Sequence, residues 1–456
     1  MNETALAVTQ PSADADELQR VVERVLKMAA ARGASQAEAA ASAGAGLGVT
    51  VRLGDVETLE QTRDRGVAVT VYFGQRKATA STADFADAAL EDTVAKACSI
   101  AGFTAEDPCA GLADQALMAS EFPDLDLDHP WALDPDEAIE LARRCEATAL
   151  ATDERIDNSE GGSVHTSRGC RVYGNSWGFV GRGTSTRHSL SCSVLASSDG
   201  NMERDYWYSV ARAREHLESP EAVGERAAQR TIRRLGARKI ATTKAPVLLP
   251  PEHSRGLVGS FLGAIRGGAQ YREASFLLDV VGEQVFPTFV QMMERPHLPG
   301  ALASASFDQE GVATRDRDLV SDGVVKGYLL SSYSARKLGL STTGHCGGAW
   351  NTLVPAATAD GEQLDFDALL ARMDRGFLVT ELIGQGVNMV TGDYSRGAAG
   401  FWVEGGEIRY PVHEVTIAGN LSAMFSGLQA IGTDVDRRGA VHCGSILLDE
   451  MTIAGD

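Results

Sequence analysis

The chain runs to 456 residues, enough for two or three domains and a substantial buried core. Its 44% hydrophobic and 23% charged residues exclude a disordered or fibrous chain. With 42 Lys and Arg against 62 Asp and Glu the formal charge is -20, a field that repels phosphate backbones and leaves no case for direct nucleic-acid binding.

Residues 1–12 read as a flexible tail. Met1-Asn2-Glu3-Thr4 lacks the basic region and apolar core of a secretory signal, and no apolar run is long enough to cross a bilayer. Asp14 is placed to cap a helix with Glu17 three residues on. Leu18, Val21, Val22, Val25, Leu26 and Ala29 follow at helical spacing, and Gly33 offers a stop. Alternating segments at 48–53 and 67–72 predict strands, with turns at Gly54-Asp55 and Asp64-Arg65-Gly66. Asp84 is expected to cap a second helix through Leu90, Val94, Ala97 and Cys98 to Gly102. Together these form an α+β domain over 13–105.

Residues 106–132 hold Pro108, Pro123, Pro130 and the run Asp124-Leu125-Asp126-Leu127-Asp128, the composition of a linker or exposed loop. Leu133-Asp134-Pro135-Asp136-Glu137 then gives an N-cap, a proline in the first turn and a glutamate after it, opening a helix to about Leu150. Short strands are expected over roughly 163–210. Ser219-Pro220 starts a further helix ending near Gly236, with the Arg230 to Arg238 stretch read as its solvated face. The order helix, strands, helix thus occurs twice, in 13–105 and 133–238, which suggests paired modules. From 239 to 456 the chain should be mostly β. Ala245-Pro246-Val247-Leu248-Leu249-Pro250 reads as a buried strand, and Ser321-Asp322-Gly323-Val324 and Glu404-Gly405-Gly406-Glu407 as hairpin turns. The expected class is α+β: N-terminal α/β modules followed by a β-rich C-terminal domain.

Motif searches return little. His413-Glu414 is the sole HE pair, but Ile417 stands where a zincin's second histidine belongs, in a stretch that alternates like a strand. His345-Cys346 and His442-Cys443 could join at a metal or thiol site, although neighbours on a strand face opposite ways. Gly44-Ala45-Gly46-Leu47-Gly48 precedes the expected strand instead of following one, which does not suit a dinucleotide loop. GxxxxGK[ST] does not occur. Seven cysteines (Cys98, Cys109, Cys145, Cys170, Cys192, Cys346, Cys443) are odd in number and scattered, as reduced thiols in a cytoplasmic protein would be.

Longer words carry a resemblance. Tyr271-Arg272-Glu273-Ala274-Ser275-Phe276-Leu277-Leu278-Asp279, Pro296-His297-Leu298 and Phe307-Asp308-Gln309-Glu310-Gly311-Val312 come first. Ser332-Tyr333-Ser334-Ala335-Arg336-Lys337-Leu338-Gly339-Leu340 and Thr391-Gly392-Asp393-Tyr394-Ser395-Arg396-Gly397-Ala398-Ala399-Gly400-Phe401-Trp402-Val403 follow. These closely resemble the PmbA (TldE) branch of the TldD/PmbA family across essentially all of 240–456. In that family the TldD branch resembles a zinc peptidase, with an HExxxH helix after an apolar strand and a distant cysteine ligand. Here the strand is Val247-Leu248-Leu249. Pro250 then stands at the first histidine position, Pro251 at the glutamate and Arg255 at the second histidine. Of that ligand set only a cysteine remains, Cys443. Proline cannot ligate zinc, and arginine brings a fixed positive charge.

The resemblance therefore implies a chain with no catalytic residue and no metal of its own. It would be the non-catalytic subunit of a zinc metalloprotease complex, with zinc in a TldD-type partner. The implied substrates are unfolded peptides, in leader-peptide removal and antitoxin degradation. Tyr394, Arg396 and Gly397, in the glycine-rich 392–400 segment, are candidates for the substrate path, by strand addition with Arg396 meeting a carboxylate. Two alternatives remain at this point. One is a self-sufficient metallopeptidase using Glu252, His253, His345 or His442 with Cys443. The other is a pure interaction protein, in line with the family's association with DNA gyrase modulation.

Overall fold

The computed structural model describes residues 10–455, so the tail expected at 1–12 lies almost wholly outside the described residues. The first helix, α1 (Ala15–Ala31), starts as its cap signal requires: the Asp14 carboxylate accepts the Glu17 N–H at 2.7 Å. Leu18, Val21, Val22, Val25 and Ala29 are buried along its inner stripe. Three strands follow, β1 (Gln36–Arg52), β2 (Asp55–Phe73) and β3 (Arg76–Thr82), then α2 (Asp87–Phe103). Asp84 is not the cap of α2. The N-cap is Ala86, with no side-chain bond, and Asp84 instead accepts the Ala86 N–H at 2.9 Å one turn earlier.

The strands are much longer than the segments expected. The run Gly44–Gly48 lies inside β1, not before it. Alanine and glycine have weak strand propensity, which hides the pattern, yet every second residue from Ala37 through Val51 is buried. Glycine is needed at Gly48 because a Cβ there would stand 2.6 Å from the His165 ring on the neighbouring strand.

The second module holds α3 (Pro135–Thr152), β4 (Ile156–Asn175), β5 (Val180–Ser198), β6 (Asn201–Ala211) and α4 (Pro220–Arg234). Asp134 and Ser219 cap the two helices as expected, each with proline in the first turn. These strands too are long, not short. Both modules contribute to one six-stranded sheet in the order β3-β2-β1-β4-β5-β6. It is joined at β1–β4, which pair antiparallel from Glu38↔Asn175 to Val51↔Gly162. One face of β1 serves all of this core: Ala37 to Ala43 pack with α1 and α2, and Leu47, Val49 and Val51 pack with α3.

The C-terminal half begins with β7 (Thr243–Leu249), α5 (Pro251–Ala264) and α6 (Gly267–Gln270). Next come β8 (Met292–Glu294), β9 (Arg317–Ser321), β10 (Val324–Val325), α7 (Ser332–Leu338), β11 (Thr352–Val354), β12 (Ala357–Thr358) and α8 (Phe366–Met373). The chain ends with β13 (Gly376–Ile383), β14 (Asp393–Glu404), β15 (Glu407–Asn420), α9 (Leu421–Ser426), β16 (Leu428–Ile431), β17 (Val441–Cys443) and β18 (Ile446–Ala454). A seven-stranded sheet runs β12-β16-β18-β15-β14-β13-β7, and β18 also pairs with β7. The five strands β18-β15-β14-β13-β7 therefore close on themselves and leave no free edge among them. A smaller sheet, β10-β9-β8-β11-β17, lies beside this ring, and Phe261 of α5 packs edge-on to Phe286 and Phe425 in the shared core.

Residues 106–132 run against both halves. Ala119 donates to Gly311 O at 2.9 Å and Arg336 donates to the carbonyls of Cys109 and Gly111. The remaining face of the six-stranded sheet meets the C-terminal half through Tyr173, Phe179 and Phe307.

Helices α3 and α4 approach so closely that a Cβ on Gly224 would lie 2.1 Å from the Cys145 carbonyl oxygen. Alanine is the better helix former by about 1 kcal/mol, but overpacking against an immobile backbone costs about 1–3 kcal/mol. Gly224→Ala should therefore lower the urea midpoint. An unchanged or higher midpoint would show that the helices are not held this close.

Candidate functional site at the junction of the two halves

Leu249 ends β7, Pro250 turns the chain as the N-cap of α5 without a side-chain bond, and Pro251 fills the first turn. Neither ring carries an N–H or a metal-binding atom. One turn on, Arg255 leaves the helix toward the six-stranded sheet. Its guanidinium donates to the Tyr208 hydroxyl at 3.0 Å and to the Arg438 carbonyl at 3.3 Å, and lies 3.4 Å from the Asp436 carboxylate.

Asp436 is buried and also receives Arg438, through Nε at 3.0 Å and Nη2 at 3.1 Å. The Arg438 guanidinium stacks over Trp207 and Tyr208, 4.0 and 4.5 Å from the ring centroids, and donates to Tyr208 O at 2.7 Å. Glu252 is 3.3 Å from Arg230 and 3.7 Å from Arg438. Arg234 meets Glu381 at 2.5 Å, Glu203 at 3.2 Å and Asp205 at 3.7 Å. A continuous ion-pair network thus occupies the place where the sequence register put ligands and base.

The arginines of α4 correct the solvated-face reading. Arg233 and Arg238 are exposed, but Arg234 is buried and Arg230 half-buried, both turned into the network. Periodicity alone cannot separate a charged face that meets water from one that meets carboxylates of another element.

Burial would raise the Asp436 carboxyl, but hydrogen bonds from the Arg438 guanidinium and backbone N–H, with the charge of Arg255, hold it below the usual range. The other candidates lie apart. Cys443 is fully buried, donates to Gly444 O at 3.2 Å, and is pushed by burial well above an ordinary thiol. His253 and His442 are both depressed by burial, against backbone bonds to Thr380 and Gly439. His345 is committed to Glu294 at 2.7 Å and to Thr343 at 2.9 Å. His413 lies 3.8 Å from Glu203. Among the described residues no group of three or more His, Cys, Asp or Glu could hold a metal ion.

The substrate-path residues sit inside the closed ring. Tyr394 is buried, Arg396 donates to Leu382 O at 3.2 Å, and Gly397 pairs with Thr416 on one side and Ile383 on the other. β15 pairs along one edge of β14, and on the other β13 covers Gly397 to Val403 while Val387 bridges Tyr394 and Gly386 O accepts the Ser395 N–H at 2.7 Å, so these edges are not free for an added peptide strand.

Beside Pro250, Pro251 and Glu252 a cavity of about 540 Å³ opens, walled by Trp207 and Phe401. Tyr208, Asp436 and Arg438 belong to no motif, and sequence reasoning missed them. The one available signal was Arg255 itself, whose charge beside an apolar strand required a carboxylate partner somewhere.

Three domain profiles of the PmbA/TldA metallopeptidases match: domain 1 over 37–101, the central domain over 128–235 and the C-terminal domain over 242–455. Metalloprotease PmbA of Escherichia coli O157:H7 is 48% identical over 448 residues, covering 98% of each chain. The chain belongs to the PmbA/TldD family. Among solved structures, a Bacteroides thetaiotaomicron protein described as a candidate modulator of DNA gyrase superposes with a TM-score of 0.91 at 27% identity. That match covers 97% of this chain and 99% of the other. TldE from Thermococcus kodakarensis shares the fold, with a TM-score of 0.84 at 19% identity over 95% of this chain and 99% of that one.

The PmbA/TldD family implies a metal, and Pro250, Pro251 and Arg255 do not fit one. Two prolines offer no donor, and an arginine already paired to Asp436 would repel a dication.

A carboxyl held low in the folded state contributes stability that is present above its unfolded value, about pH 4, and is lost as the pH falls through the folded value. Asp436→Asn should therefore lower stability near neutral pH and flatten the acid limb of stability measured by urea unfolding. An acid limb as steep as that of the unsubstituted chain would mean that Asp436 is not held low.

Proposed function

We propose that this chain is the non-catalytic subunit of a zinc metalloprotease complex, paired in the cytoplasm with a TldD-type subunit that carries the metal. Arg255 carries the reading: at the second histidine position stands a cation bonded to Asp436, Tyr208 and the Arg438 carbonyl. Pro250 and Pro251 at the first ligand and base positions support it, as does a Cys443 thiol that burial keeps protonated. The kinship with proteins named metalloproteases makes peptides the natural substrate class. In this reading the chain supplies wall and selectivity to a peptide chamber, in leader-peptide removal or antitoxin degradation. No helix among the described residues is long and apolar enough to cross a membrane, which is compatible with that setting.

The test uses the full chain, alone and mixed with a TldD-type protein from the same cell. The isolated chain should carry substoichiometric zinc by elemental analysis and leave an unfolded fluorogenic peptide uncut. The mixture should cleave it, and a chelator should stop cleavage. Stoichiometric zinc with chelator-sensitive cleavage by the isolated chain would overturn the proposal.

A further inference from the structure

The cavity beside Pro250 and Pro251 gathers arginines along one wall, in a chain of net charge -20. Its volume of about 540 Å³ is that of a ligand pocket. Four of its lining residues are arginines of α4, Arg226, Arg230, Arg233 and Arg234; Asp205 and Glu252 share the lining, and Glu203, Glu381 and Glu218 reach the arginines from beside it. Positions 226, 230, 233 and 234 fall on one side of a helix, so the four charges face one way.

They are not equally committed. Arg230 and Arg234 are taken up by Asp205, Glu252, Glu203 and Glu381. Arg226 has only Glu218 at 3.7 Å and lies over Trp207 at 4.6 Å. Arg233 has no carboxylate partner among the described residues and lies over Phe401 at 5.1 Å. Two exposed guanidiniums are thus held in place by aromatic rings: Arg233 with its donor fork uncommitted among the described residues, and Arg226 with Glu218 at 3.7 Å, beyond hydrogen-bond distance. A planar fork of this kind matches a carboxylate or phosphate in two parallel bonds.

The floor separates those two ligands. Phosphate sites commonly use backbone N–H groups at a helix start, and here α5 opens on Pro250-Pro251, which have none. Trp207, Phe366, Leu378 and Phe401 add apolar wall on which a side chain next to the anion can rest.

We propose that this cavity binds an acidic stretch of an extended peptide, with a carboxylate on Arg226 and Arg233 and a neighbouring apolar side chain between Trp207 and Phe401. The inference rests on the peptide-handling reading above and names the substrate class that this subunit selects.

The experiment measures fluorescence anisotropy of two labelled unstructured peptides on the isolated full chain, identical except for Leu-Glu in one and Leu-Gln in the other. The Leu-Glu peptide should bind about tenfold more tightly, and added salt should weaken that preference. Arg226→Ala/Arg233→Ala should remove the preference, as should the milder Arg233→Gln in large part. Lys27→Ala/Lys96→Ala, with the same change of charge on remote exposed positions, should keep it. Equal binding of the two peptides, or a preference that survives the double arginine substitution, overturns the proposal. So does displacement by millimolar inorganic phosphate at concentrations where unlabelled Leu-Glu peptide fails. Because no partner is present, this result is independent of the subunit reading. Selective binding with no effect on a TldD-type partner's cleavage would sink that reading and leave the pocket standing.

Discussion

A half-buried arginine needs a carboxylate, and in this protein the need is met across the junction of the two halves. Arg255 comes from α5 of the C-terminal half, Tyr208 from β6 of the N-terminal sheet, and Asp436 with Arg438 from the segment before β17. Removing Asp436 would leave Arg255 with neutral partners only, the Tyr208 hydroxyl and the Arg438 carbonyl. The halves, the start of α5 and the path of the chain into Cys443 therefore meet in one interaction. A metal at the same place would have to displace it.

Chemistry and packing consequently trade places at residues 250–255. A helix start after an apolar strand can present ligands, as the family resemblance implies for the TldD branch, or it can dock. With prolines at 250 and 251 it docks: the rings set the entry angle, Ser254 donates to Leu249 O at 2.8 Å, and Leu257, Val258 and Phe261 fill the core. His253, His345, His442 and Cys443 each bond to a neighbour of their own, and among the described residues no three groups able to ligate come together.

The arginines of α4 divide by depth. The inner pair neutralises carboxylates that would be costly if left unpaired, and the outer pair faces the cavity, Arg226 beside Glu218 and Arg233 with no carboxylate among the described residues. On an acidic chain, local geometry and not net charge then decides what the cavity attracts. An anion within reach of two guanidiniums feels them strongly, while the diffuse negative field beyond a Debye length is screened.

Local chemistry was legible in the sequence. Asp14, Asp134 and Ser219 cap the helices they were expected to cap, the hairpins at 321–324 and 404–407 turn where glycine allows, and β7 is the buried strand its run of apolar residues predicts. Each of these is decided within a few residues by caps, turns and alternation. That proline and arginine at 250, 251 and 255 bring no cation-ligating atom was legible too, since it follows from side-chain identity alone. What only the tertiary structure decided were pairings over long separations. β1 joins β4 and merges two modules into one sheet, β18 meets β7 and closes a ring that shields β14, and Arg255 finds Asp436. Backbone donors and acceptors are the same in every strand, and one arginine is like another until burial selects its partner. No local pattern could name those matches, because their free energy arises only when distant segments exclude water together.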